Sequence, residues 1–162
     1  MIEVYDDFFS REIQEEIFYK LMKPHWCIDG NSLNKPEIFW HYNGLEKDQY
    51  FNEYLYEKIC AKLGRSFGSV GRIYANGQTA GQSGTPHTDD GNFTFLYYPC
   101  LEWDPTWQGH LVFLNDDGEE GRMIIYRSNR ALLFDSNICH YACAPSRFFN
   151  GLRISLAYKL WN

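Results

Sequence analysis

Basic residues are few and scattered in this 162-residue chain: 15 Lys and Arg stand against 21 Asp and Glu, for a formal charge of -6. No run of Lys and Arg exceeds two residues. A protein that tracks phosphates along nucleic acid needs a basic face, so a nucleic-acid partner, and with it nucleic-acid demethylation, is disfavoured. The sequence also lacks an apolar stretch long enough to span a bilayer and a basic segment leading into an apolar run at its start, so the expectation is a soluble, cytoplasmic protein with no membrane partner. Cysteine is sparse and odd in number, with Cys27, Cys60, Cys100, Cys139 and Cys143. That suits free thiols in a reducing compartment rather than a disulfide scaffold. Cys139 and Cys143 have no second Cys or His pair at zinc-finger spacing, so a structural zinc is not expected. Repeats, low-complexity tracts and linkers are missing too, and the length fits one domain over residues 1–162.

Aromatic residues, by contrast, are plentiful: twelve Tyr, twelve Phe and five Trp make up 18% of the chain, and this favours strands. Residues 2 to 5 read as a short strand. Ser10 then stands as an N-cap before Ile13, Ile17 and Leu21, whose fourfold spacing predicts an amphipathic helix ending near Pro24. Residues 24 to 46 have no clear period, although Glu37 to Tyr42 fits a strand. From Glu46 to Leu63, Phe51, Tyr54, Leu55, Ile59 and Leu63 fall at helical spacing, and Gly64 supplies a C-terminal stop.

After Gly64 the texture changes to short β-rich runs separated by turn residues. Eight runs are expected: Ser69 to Asn76, Thr85 to Asp89, Asn92 to Tyr98, His110 to Asn115, Arg122 to Tyr126, Ala131 to Phe134, Cys139 to Ala144 and Leu152 to Leu160. Eight strands suit a jelly roll, also called a double-stranded β-helix. The fold class is therefore an all-β core with flanking helices (α+β), with residues 1–66 as a helical buttress and 67–162 as the jelly-roll core. Two runs, Phe93 to Tyr98 and Arg153 to Leu160, are apolar on both alternations and should be buried on both faces, one inside the roll and one under the helices.

His87-Thr88-Asp89 puts an imidazole and a carboxylate at i and i+2, which in a strand project to one face. The pair ends the second run after a Gly-rich loop, Gly77 to Gly84, and His140 begins the seventh. In a jelly roll these two strands are neighbours. Two imidazoles and one carboxylate on one face of a metal leave its other positions open, which suits non-haem Fe(II) and its co-substrates. Beside the third ligand, Ala142 and Ala144 leave a hollow. In the last strand Arg153, Ser155 and Ala157 share the inner alternation. A guanidinium inside a barrel needs a partner, and its planar fork matches a carboxylate. No acidic residue of the neighbouring strands obviously supplies one, whereas a dicarboxylic small molecule would reach from the metal to Arg153. Tyr98, on the inward alternation with Thr94 and Leu96, adds a hydroxyl.

These features together resemble the 2-oxoglutarate and Fe(II)-dependent oxygenases, within them the short prolyl-hydroxylase-like group. The resemblance runs from about Ile73 to Trp161. It covers Tyr74 with the Gly-rich loop and His87-Thr88-Asp89, Phe95-Leu96-Tyr97-Tyr98, Gly109-His110-Leu111-Val112-Phe113-Leu114, Phe134-Asp135-Ser136 before His140, and Gly151-Leu152-Arg153-Ile154-Ser155-Leu156. The opening Val4-Tyr5-Asp6-Asp7-Phe8-Phe9-Ser10 is similar to the leader of the same group. The resemblance implies Fe(II) on His87, Asp89 and His140, the distal carboxylate of 2-oxoglutarate on Arg153, and a pocket lined by Tyr98, Leu111 and Tyr74. It also implies O2 as co-substrate, with ascorbate as a compatible reductant. The implied reaction hydroxylates an unactivated C–H bond while 2-oxoglutarate gives succinate and CO2, most readily on a prolyl or other residue of a peptide or protein.

Three alternatives stay open at this point. The interval from His140 to Arg153 is longer than is usual in the group and contains Phe148-Phe149, which makes Arg147 a rival for the carboxylate, with strand alternation favouring Arg153. A free amino acid or other small metabolite is the second reading of the substrate. A non-catalytic metal-binding jelly-roll module is the third reading, although structural metal sites are usually closed. Trp103 and Trp107 form an aromatic loop near the mouth that either covers substrate or clamps the loop to the helices. His25 and His41 belong to none of the eight runs and read as structural.

Overall fold

The computed structural model describes residues 1–28 and 40–162. Its first elements follow the expected pattern. Strand β1 spans Ile2–Tyr5, and helix α1 spans Arg11–Leu21 with Ser10 as N-cap, its side chain accepting from the Ile13 N–H. The N-cap satisfies one of the backbone donors that a helix start leaves unpaired. Ile17 and Leu21 are fully buried on the inner face of α1. Strands β2 (Cys27–Ile28) and β3 (Trp40–Tyr42) pair with each other antiparallel. Of the strand expected over Glu37 to Tyr42, residues 40–42 are present, and 37–39 lie outside the described residues.

The second helical segment departs from one continuous α-helix. A 3-10 turn covers Leu45–Lys47, a π-helical stretch covers Tyr50–Leu55, and α2 covers Tyr56–Leu63. Two interactions account for the irregular start. Asp48 Oδ1 accepts from the Tyr50 N–H at 2.8 Å, and the Phe51 carbonyl accepts from Tyr158 Oη at 2.9 Å. Side chains that take up backbone groups in this way loosen the i to i+4 ladder. Gly64 closes α2 in the left-handed conformation, with φ at 63°, as its position after the apolar repeat requires.

The remaining strands are β4 (Ser69–Gln78), β5 (Phe93–Tyr97), β6 (Leu111–Leu114), β7 (Glu120–Ile124), β8 (Ala131–Asp135), β9 (His140–Ala142) and β10 (Arg153–Trp161). They form a seven-stranded sheet ordered β1-β8-β5-β10-β4-β3-β2 and a three-stranded sheet ordered β7-β6-β9. This is the jelly-roll arrangement of an all-β core with flanking helices. The first 66 residues supply three strands to the larger sheet in addition to the helical buttress. Seven of the eight expected runs appear as strands. The exception is Thr85 to Asp89, which touches its neighbour through an isolated bridge, His87 with His140, instead of a continuous ladder. Pro86 interrupts it, because proline has no N–H to give.

Strand β10 pairs with β4 on one side and β5 on the other. From Arg153 to Leu160 every residue is buried. Ile154, Leu156, Tyr158 and Leu160 join a core with Ile17, Leu21, Phe51, Leu55 and Ile59 of the helices. The opposite alternation faces the interior of the roll. Among the described residues, no helix is long and apolar enough to cross a membrane.

Asn129 fixes the chain's start to this frame. Its Oδ1 accepts from the Phe9 N–H at 3.1 Å and from Tyr97 Oη at 2.8 Å, and its Nδ2 donates to the Phe9 carbonyl at 2.8 Å. It also holds φ at 59°, a region Asn tolerates better than most residues. Asn129→Ala removes three buried hydrogen bonds and leaves strain, so it is expected to destabilise the fold by about 3 kcal/mol. Urea denaturation checks this, and a loss within about 0.5 kcal/mol would show that this anchor is dispensable.

Candidate metal centre

His87 and His140 are brought together by the backbone. The His87 N–H donates to the His140 carbonyl at 3.0 Å, and the His140 N–H donates to the His87 carbonyl at 2.9 Å. Just beyond, the Asp89 N–H donates to the Ser136 carbonyl at 2.8 Å. Each imidazole is then oriented by its own neighbourhood: His87 Nδ1 lies 2.8 Å from the Thr85 carbonyl and His140 Nδ1 lies 2.8 Å from the Ile138 carbonyl. A carbonyl only accepts, so both rings carry their proton on Nδ1 and present an unprotonated Nε2 when neutral.

Those two nitrogens converge on one carboxylate. His87 Nε2 is 3.5 Å from Asp89 Oδ1, and His140 Nε2 is 3.4 Å from Asp89 Oδ2. All three ligand atoms lie within 4.8 Å of one another. Adjacent donors around a first-row cation with bonds near 2.1 Å sit about 3 Å apart, so the cluster needs little movement to grip one. The donor set of two neutral imidazoles and one carboxylate fits Fe(II) and leaves one hemisphere of the ion to other ligands.

Burial pushes the His140 imidazole down to about 4, which keeps it neutral and able to ligate. For His87 burial acts the same way but is outweighed by the hydrogen bond to Asp89 and by the Thr85 carbonyl, so its pKa lies above the ordinary histidine value. Burial alone would raise Asp89. The His87 hydrogen bond and the charge of Lys159 overcome it and hold the carboxyl well below the usual range.

Lys159 is a residue that the sequence reading missed. It is 1% exposed and forms an ion pair with Asp89, while its Nζ reaches Thr94 Oγ1 at 3.2 Å. The signal was present: Arg153, Ser155, Ala157 and Lys159 share one alternation of β10, and all four line the cavity around the histidines.

Arg153, also 1% exposed, lies at the first residue of the same strand face. Its Nε donates to the Gly109 carbonyl and its Nη1 to Gln78 Oε1, both at 2.8 Å. Among the described residues it forms no ion pair with a carboxylate within 4.0 Å. Gly109 holds φ at 75°, and a Cβ there would come within 3.0 Å of the Arg153 side chain. The glycine is thus required by both backbone and space. Tyr74 and Leu111 line the cavity with Arg153. Tyr98 lies against the guanidinium, its ring centroid 5.5 Å away, and its hydroxyl is buried without a hydrogen-bond partner among the described residues. Arg147 is exposed and lies over the Phe148 ring, away from the cavity.

The aromatic loop packs over the Arg153 end. Trp103 lies 4.0 Å from the Tyr126 ring and 4.6 Å from Phe149, and Tyr126 stacks on Tyr98 at 4.2 Å. Trp107 meets the same Phe149 at 4.9 Å. These contacts tie the loop to the segment between β9 and β10. His25 and His41 lie elsewhere, His25 against Tyr42 and His41 within β3.

No family model and no curated protein matches the chain. Solved structures do. A Pseudomonas putida prolyl-4-hydroxylase superposes with a TM-score of 0.71 at 14% identity, over 98% of this chain and 91% of that one. A prolyl hydroxylase from Trichoplax adhaerens, in complex with a hypoxia inducible factor oxygen degradation domain peptide, gives 0.70 at 15%, over 98% and 82%. A non-haem α-ketoglutarate-dependent epimerase from nogalamycin biosynthesis gives 0.67 at 13%, over 98% and 78%. The fold is that of the 2-oxoglutarate/Fe(II) oxygenases. At this level of identity the likeness concerns the shape of the chain.

His87→Ala or His140→Ala is expected to weaken Mn(II) binding by more than about a hundredfold while the circular dichroism stays native. Calorimetric titration decides this, and full affinity in either variant would remove that histidine from the ligand set. Only a neutral imidazole binds the cation, and His87 has the raised pKa, so affinity should fall as pH drops through the neutral range, before His140 titrates near 4.

Proposed function

We propose that this chain is an Fe(II)- and 2-oxoglutarate-dependent dioxygenase that hydroxylates an unactivated C–H bond. The observation that carries the reading is a pairing inside one cavity: an open two-histidine, one-carboxylate cluster together with a buried arginine that has no carboxylate partner among the described residues. A small dicarboxylic ligand with one end on a metal satisfies both. In this reading His87, Asp89 and His140 hold iron, and Arg153 holds the distal carboxylate. Tyr98 offers its buried hydroxyl, while Tyr74 and Leu111 form the walls. Fe(II) with 2-oxoglutarate and O2 supplies the oxidising equivalent, with succinate and CO2 as products. The protein's own part is orientation and dryness. Trp103, Tyr126 and Tyr98 seal the arginine end with aromatic surface, which strengthens the charge pair by excluding water.

A prolyl or other residue of a peptide or protein is the favoured substrate. The superposable Trichoplax enzyme was solved with a peptide bound, and the Pseudomonas protein is a prolyl hydroxylase. A free amino acid or small metabolite is the second reading, favoured by the superposable epimerase of a biosynthetic route.

Anaerobic Fe(II) plus 2-oxoglutarate is expected to give the visible absorption of a keto acid chelated to iron, lost in His87→Ala. Folded, metal-loaded protein without that band would point instead to a metal-binding module with no turnover. Arg153→Ala should weaken 2-oxoglutarate by about 3 kcal/mol, roughly a hundredfold, since a buried charge pair loses one member. If Arg147→Ala produced that loss instead, the carboxylate role would pass to Arg147.

A further inference from the structure

Lys159 has no role in the reading above, yet it is the residue in closest contact with the proposed iron carboxylate. Burying an ammonium is unfavourable unless every donor is answered. Here the answers come from the metal site itself: Nζ pairs with Asp89, lies 3.2 Å from Thr94 Oγ1, and sits 5.6 Å from the Tyr74 ring centroid. Thr94 Oγ1 in turn donates to Asp89 Oδ2 at 2.7 Å. Oδ2 is therefore claimed by the Lys159–Thr94 pair, and Oδ1, 3.5 Å from His87 Nε2, is the oxygen left to a cation.

Two positive charges then share one buried carboxylate, the Lys159 ammonium and the metal when bound. We propose that Lys159 is an internal counter-ion of the metal site: it neutralises the buried Asp89 carboxylate without metal and, by its charge, keeps divalent-cation affinity low. This rests on Asp89 being a metal ligand. Removing the ammonium leaves Thr94 still holding Oδ2, so the ligand loses little orientation. The repulsion between ammonium and metal, acting over a few ångströms between buried groups, is removed. Affinity should rise as a result, opposite in sign to what loss of a merely orienting residue would do.

The test uses Mn(II) as probe and no turnover. Lys159→Met keeps an unbranched side chain of nearly the same length without its charge. It is expected to bind Mn(II) at least about tenfold more tightly than the unchanged protein by calorimetric titration. In metal-free urea denaturation, Lys159→Met and Asp89→Asn should each lower the midpoint, and the double variant should recover most of the loss, because neither charge is then left alone. Unchanged or weaker Mn(II) binding by folded Lys159→Met would overturn the proposal, as would losses that simply add in the double variant. Should Lys159→Met fail to fold without metal, the double variant decides: a near-native midpoint supports the counter-ion role and an unfolded chain refutes it. An absent Fe(II)–2-oxoglutarate band in the unchanged protein would sink the oxygenase reading while leaving these outcomes intact.

Discussion

Strand β10 is buried on both sides from Arg153 to Leu160 and nevertheless carries two cations on one face, Arg153 and Lys159, each 1% exposed. Charges in such a place must be answered by other groups, and much of the site's arrangement follows from how they are. The Gly109 carbonyl and Gln78 are turned toward Arg153, and the rings of Tyr126 and Tyr98 lie against it. Asp89 and Thr94 are turned toward Lys159. The ladder to β4 and β5 fixes the spacing between these two clusters, since both ends belong to one strand with period-two alternation. The cavity is thus bounded by two positive ends whose separation is set by backbone geometry.

The other alternation of β10 performs the opposite task. Ile154, Leu156, Tyr158 and Leu160 press on the helical layer, and Tyr158 reaches through to the Phe51 carbonyl. A single strand therefore couples the buttress to the site. This explains why the helices are needed by a jelly roll that could close its own core: without them, one face of β5 and β10 would expose apolar side chains to water.

The legibility of this arrangement in the sequence depended on period. Where apolar spacing was regular, as in Ile13, Ile17 and Leu21, or where a strand ran without interruption, as in β5 and β10, elements emerged with ends shifted by a residue or two. Where side chains take over backbone groups the periodicity misleads. Phe51 to Leu63 has helical spacing, but Asp48 and Tyr158 draw on the backbone of its first turns and a π-helical stretch results. Thr85 to Asp89 has the composition of a strand and makes only a bridge, because Pro86 breaks the ladder. At the site, His87, Asp89, His140 and Arg153 were legible as residue types with chemistry. Lys159 was not, because a lysine near the end of a strand reads as a solvated tip; only its parity with Arg153 marks it as inward.

The same parity separates what the fold decides from what it leaves to individual side chains. Chains with 15% identity or less build this roll, among them hydroxylases and an epimerase, so the ladder geometry is compatible with many sequences and more than one outcome. What differs between such chains must lie in the groups that line the cavity. Here those include an ammonium beside the Asp89 carboxylate and an asparagine, Asn76, whose buried side-chain oxygen in the same cavity has no hydrogen-bond partner among the described residues. A buried acceptor left unpaired is unfavourable unless a ligand donor meets it. The ammonium beside Asp89 and this acceptor in the wall are two such groups, at opposite signs of polarity within one cavity.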